Sequence, residues 1–126
     1  LAETGTVYRS PTCQCCSKWI AHMAANGIDL TPQNLGSGEL TQLKAKLGLK
    51  PEQASCHTAT IGGYVVEGHV PAEDVKRLLA EKPDAIGLSV PGMPSGSPGM
   101  EADGAAQPFD VLLVTKDGTT EVWAKH

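Results

Sequence analysis

No stretch of this 126-residue chain approaches the roughly 18 consecutive apolar residues that a membrane-spanning helix needs. Insertion into a membrane by a helix is therefore excluded. Basic residues are few and scattered: ten Lys and Arg stand against fourteen Asp and Glu, for a net charge of −4. Nothing forms the Lys/Arg stripe that nucleic acid or an anionic membrane surface requires, so neither is expected as a partner. Repeats are absent, and no change of composition marks a second domain, so residues 1–126 read as one. The opening "LAETGTVYRS" lacks both an initiator Met and a basic-plus-apolar leader. Such a start is expected of an exported protein whose signal has been removed. Cysteine is scarce as well, four in all, and a chain of this length buries a core without disulfide staples.

The placement of those four cysteines is unusual. Cys13, Cys15 and Cys16 crowd into "SPTCQCCSKW", and Cys56 stands alone in "ASCHTA". Around them the elements are legible in outline. "TVYR" (6–9) has strand-like β-branched and aromatic content, and "SPT" offers helix-start chemistry. Cys16, Trp19, Ile20, Met23 and Ala24 then recur at helical spacing, and Asn26-Gly27 supplies a stop. "IDLTPQ" is a short strand. A second helix carries Leu40, Leu43 and Leu47 on one face, with Ser37 as N-cap and Gly48 as its end. "TATI" and "YVVEG" make a hairpin through Gly62-Gly63. Pro71 opens a third helix with Val75, Leu78 and Leu79 inward, closed by Pro83. After "IGLSV" and a Gly/Pro-rich loop, "FDVLLVT" and "TTEVWAK" form a second hairpin through Asp117-Gly118.

This order resembles the thioredoxin superfamily: a βαβ unit, then an antiparallel pair and a covering helix, here with an added C-terminal β-hairpin. The resemblance implies an α/β, thioredoxin-like fold. Redox members of that superfamily carry C-x-x-C at the first strand-to-helix junction, where Cys13-Gln14-Cys15-Cys16 lies. They also place a residue before the "GG" hairpin that packs against the two cysteines, usually a proline; Cys56 stands there in this chain. The resemblance thus implies that all four cysteines converge at one end of the first helix.

A helix N-terminus presents unpaired N–H groups and about half a positive charge, which favour thiolate over thiol. Thiolate-rich sites select soft ions, Cu(I) above all. Crowded thiolates that each bridge two ions suit several Cu(I) per chain better than one tetrahedral zinc, and neither a doubled C-x₂-C nor C-x₂-C with H-x₃₋₅-H is present. Two structural disulfides are the bland reading. Against it, Cys15 and Cys16 are too close to pair easily with one another. Cys13 and Cys16 also form a candidate redox pair, leaving Cys15 with Cys56, and the disulfide and metal readings do not exclude each other.

"YRSPTCQCCSKWIAHM", "SCHTATIGGYVVEGHVPAEDVKRLLAEKP", "GLSVPGMPSGSPGME" and "PFDVLLV" together resemble the CopG-type family, small exported metal-binding proteins associated with bacterial copper resistance. The resemblance runs from about Tyr8 to Trp123. It implies a thioredoxin-like fold, a periplasmic location and copper held by the cysteines, with redox activity as a further implication.

The expected ligands are therefore Cys13, Cys15, Cys16 and Cys56. Met93 and Met100, in the Gly/Pro loop, and His57 and His69 are candidates for additional ligands or for neighbours that orient the ligands. Met23 lies on the apolar stripe and is expected in the core. His22 is expected in solvent, and Glu67 and Glu101 as surface charges. The function these readings support is a periplasmic copper-binding protein of copper resistance, with copper ions and other periplasmic copper-handling proteins as partners. A thiol–disulfide oxidoreductase with incidental metal binding is one alternative. A zinc-stabilised interaction module is the other.

Overall fold

The structure, a computed structural model, describes residues 3–10, 14–50, 53–55, 57–91, 97 and 108–126, with the backbone alone at 14, 15 and 37. In chain order the elements are β1 (Glu3–Arg9), α1 (Gln14–Ala25), β2 (Ile28–Asn34), α2 (Ser37–Lys46), β3 (His57–Ile61), β4 (Tyr64–Glu67), α3 (Ala72–Glu81), β5 (Gly87–Ser89), β6 (Asp110–Val114) and β7 (Thr120–Lys125). The α/β class and the expected order of helices and hairpins are what the molecule has. All seven strands join one sheet in the order β2-β1-β3-β4-β5-β6-β7. Among the described residues no helix is long and apolar enough to cross a membrane.

Each half of the sheet follows from its connections. The β1–α1–β2 crossover gives a parallel pair, as a helical connection must. β2 is an edge strand, and Pro32, exposed on it, costs no ladder hydrogen bond there. Gly62 and Gly63 both take positive φ, +57° and +85°, which lets two residues turn β3 into β4 with the twist a hairpin needs. β5 pairs parallel with β4 after α3, and its other edge takes β6. The C-terminal hairpin therefore extends the central sheet rather than standing apart from it.

The stripe read from the first helix is buried at Cys16, Trp19 and Met23, with Ile20 partly buried, while Ala24 is exposed. Trp19 anchors α1 to the segment entering α3 by donating from Nε1 to the Val70 carbonyl at 2.8 Å. Val75 and Leu78 bury the inner face of α3, and Lys82 in the left-handed region ends it. α2 begins one residue earlier than expected at its cap: Gly36, not Ser37, is the N-cap, and its N–H reaches Glu39 Oε1 at 3.3 Å. The shift has a simple cause, since the first-turn glutamate reaches back to the cap backbone whatever side chain the cap carries. The core joins Val7, Trp19, Met23, Ile61, Val66, Leu78, Leu88 and Val111, so α1 and α3 are both packed on the sheet.

Candidate metal centre at the start of the first helix

Two cysteine-bearing segments, forty residues apart, meet through strand register. β1 and β3 are antiparallel neighbours with Arg9 opposite His57. The residue after Cys56 is thereby brought to the end of β1 from which the chain enters α1. Cys16, in the first turn of α1, is fully buried, and its Sγ lies 3.2 Å from His57 Nδ1. Cys16 is disulfide-bonded, and its partner lies outside the described residues. The Trp19 indole covers the His57 ring at 4.4 Å between centroids, and His69 meets that ring edge-on at 5.1 Å. All three rings are fully buried.

His69 reaches this place because the chain folds sharply after β4. Thr58 pairs with Glu67, and Gly68 N–H then donates to the His57 carbonyl at 3.0 Å. Gly68 has φ +79°, and a Cβ there would meet the Val90 carbonyl at 2.5 Å and the Ser55 side chain at 2.7 Å. Only glycine fits both the conformation and the space.

Burial holds the His57 imidazole neutral, lowering its pKa from 6.5 to about 3, with His69, Lys44 and Arg9 adding to the effect and a hydrogen bond between the imidazole and the Gly68 backbone opposing it. A neutral imidazole is the form that ligates metal. The 3.2 Å sulfur-to-nitrogen contact is also close to the spacing of about 3.5 Å that bonds of roughly 2.3 and 2.0 Å impose on two ligands of one tetrahedral ion. Once the Cys16 disulfide is reduced, a thiolate at a helix start beside a neutral imidazole is a donor pair suited to a soft or borderline cation.

Among the sequence-derived candidates, the structure brings Cys16, His57 and His69 together. Cys13, Cys56, Met93, Met100 and Glu101 lie outside the described residues, as does the side chain of Cys15. Met23 is in the core as expected. Two expectations are corrected. His22 is half-buried and accepts the Ala72 N–H at 3.1 Å, tying α1 to the first residue of α3. Glu67 is not a surface charge but fully buried. Its carboxylate pairs with Lys44, accepts the Ser55 N–H at 2.7 Å and accepts the Thr58 hydroxyl at 2.5 Å. Burial raises the Glu67 pKa, while Lys44 and the two other donors pull it back. The signal missed was the sequence "VVEGHV" itself, an acidic residue inside an otherwise apolar run.

A second group of donors lies at the start of α3, where Glu73, Asp74 and His126 place ligand atoms within 4.8 Å of one another. His126 contacts Asp74 Oδ2 at 2.7 Å through Nε2 and stacks on Phe109 at 5.1 Å. Phe109 and His126 also exchange both backbone hydrogen bonds. This arrangement fastens the end of β7 to α3.

Residues 53–100 match a family described as "Protein of unknown function, DUF411". No curated protein matches the chain. Among solved structures, "Copper resistance protein copG- Form 1" is 39% identical with a TM-score of 0.92, the match covering 100% of this chain and 98% of that one. "Copper resistance protein copG- Form 2" is 39% identical at 0.91, covering 100% and 99%.

Proposed function

The chain belongs to the family of the copper resistance protein CopG, and from that premise we propose that it is a periplasmic copper-binding domain, residues 1–126, serving copper resistance. In this reading Cys13, Cys15, Cys16 and Cys56 hold Cu(I) as bridging thiolates, more than one ion per chain. His57 and His69 are the nearest further donors, and Met93 and Met100 offer thioethers from the Gly/Pro loop. The observation that carries the reading is the contact between Cys16 Sγ and His57 Nδ1 at 3.2 Å. It joins the helix that bears Cys15 and Cys16 to the strand that follows Cys56. The donor chemistry there is sulfur and neutral nitrogen, which suits Cu(I).

Thiol and copper redox states are coupled in the same proposal. Two thiolates give one electron each to two Cu(II) ions, leaving one disulfide and two Cu(I). A dithiol reductant supplies the two electrons and two protons that restore the thiols. The test is an anaerobic Cu(I) titration of the reduced chain against a competing Cu(I) chelator, with thiols counted before and after. Saturation above one Cu(I) per chain is expected. Saturation at one ion removes the cluster, and binding no tighter than that of a cysteine-free variant removes the reading. The disulfide at Cys16 favours a second reading, a thiol–disulfide oxidoreductase of the C-x-x-C type, which turnover in a disulfide-reduction assay without copper would support.

A further inference from the structure

We propose that the buried Lys44–Glu67 pair is a positioning device for the residues that flank Cys56, fixing Ser55 and Thr58 for metal binding at that cysteine; this rests on Cys56 acting as a ligand. A charge as buried as Glu67 loses several kcal/mol of hydration and must be compensated by its neighbours. Besides the Lys44 ammonium, both hydrogen-bond donors to Glu67 fall on the same short piece of chain. Glu67 Oε2 accepts the Ser55 N–H at 2.7 Å and Oε1 accepts the Thr58 hydroxyl at 2.5 Å. Lys44 Nζ pairs with Glu67 and donates to the Ser55 carbonyl at 3.0 Å. Ser55 is thus held at both its N–H and its C=O, and Thr58 by its side chain. Between them stand only Cys56 and His57, and the His57 carbonyl is itself held by Gly68 N–H at 3.0 Å.

A buried ion pair is weak evidence for stability, because apolar residues of the same volume usually serve a core as well or better. Three hydrogen bonds to one four-residue segment point instead to geometry. The segment precedes and opens β3, where the ladder to β1 begins only at His57, so the backbone ahead of His57 needs other support. Lys44 provides it from α2, an element with no cysteine, and Glu67 from β4. Groups that orient a metal's ligands without touching the ion typically contribute 10–100-fold to affinity. Glu67, Lys44 and Thr58 are positioning residues of that kind, and the pair adds no net charge beside the thiolates.

The test uses the reduced full chain in four forms: wild type, T58V, T58S as its conservative control, and the charge-balanced double variant K44M/E67Q. Cu(I) affinity is read by chelator competition, thermal stability by melting, and the accessibility of each thiol in the metal-free chain by its alkylation rate, resolved by mass spectrometry. T58V is expected to lose several-fold in Cu(I) affinity with T58S close to wild type, and K44M/E67Q to lose on the order of 10–100-fold. The Cys56 thiol should alkylate faster in both weakened variants while Cys16 stays unchanged, an effect that a general loss of stability would spread over both thiols. Wild-type affinity and wild-type Cys56 alkylation in T58V and K44M/E67Q overturn the proposal. Should the double variant fail to fold, the T58V and T58S pair decides alone. Should the wild type itself bind no Cu(I), the copper reading falls, and unchanged Cys56 alkylation in the variants would still refute the clamp.

Discussion

At His57 an imidazole is packed between the Trp19 indole, the His69 ring and the Cys16 sulfur, with Lys44 and Arg9 contributing positive charge nearby. Burial outweighs the hydrogen bond to the Gly68 backbone that favours an added proton, so the folded protein keeps the ring neutral down to a pH of about 3. The unfolded chain protonates the same ring near its ordinary 6.5. Above that value neither state carries the proton, and stability is at its full level. As pH falls below it, only the unfolded state gains the proton, so stability is lost progressively until the folded ring also protonates near 3. The slope is at most about 1.4 kcal/mol per pH unit. Urea unfolding of the oxidised, metal-free chain is therefore expected to show a lower midpoint at pH 4.5 than at pH 7. The His57→Gln variant should lose a large part of that difference. An equal drop in both proteins would mean that other groups carry the acid sensitivity.

Among the elements, α1 carries the most consequence for the site, because it must hold its first turn against β3 while its far end turns back into β2. Its docking depends on Trp19, which fills the core and gives its indole N–H to the Val70 carbonyl. Trp19→Phe leaves that carbonyl without its donor and opens a small cavity, at a combined cost of about 2–4 kcal/mol. The same change removes the larger ring covering His57. The expected result is a lower denaturation midpoint together with faster modification of Cys16 after reduction. A loss under about 0.5 kcal/mol would show that α1 is held by other contacts. β7 is fastened differently, through the Asp74–His126 contact and the Arg77 guanidinium, which lies 3.9 Å from the Trp123 ring centroid and donates to its carbonyl.

Over the whole molecule, one continuous seven-stranded sheet carries the site near one end and the C-terminal hairpin at the other. The acidic balance of the chain, a net charge of −4, suits a cationic cargo better than a nucleic acid. The proposed redox coupling predicts behaviour at this scale. Oxidation that takes two thiolates into a disulfide removes two of the four proposed ligands, so copper affinity should fall by orders of magnitude and return with reductant. Poising the protein at a series of thiol redox potentials and measuring bound copper at each checks this. A copper load independent of potential would leave a passive store or carrier and remove the redox role.

The order of helices and hairpins was readable from the chain because it depends on interactions within a few residues of one another. The 3.6-residue recurrence of Cys16, Trp19 and Met23, the Gly62-Gly63 turn, and Pro71 at the entry to α3 each act locally. Local signals also failed locally: Ala24 fitted the helical spacing yet is exposed, and the cap of α2 moved to Gly36. Cys16 was legible as a candidate because three cysteines crowd at the start of a helix. Which donors stand beside it was decided only by tertiary structure. The Cys16–His57 contact requires the register that sets Arg9 opposite His57. The burial of Glu67 is a sum over β3, β4 and α2, with Lys44 arriving from 23 residues away. A charged residue in a sequence is read as solvated because unpaired burial is costly. Only the folded chain supplies the partner that makes the burial stable.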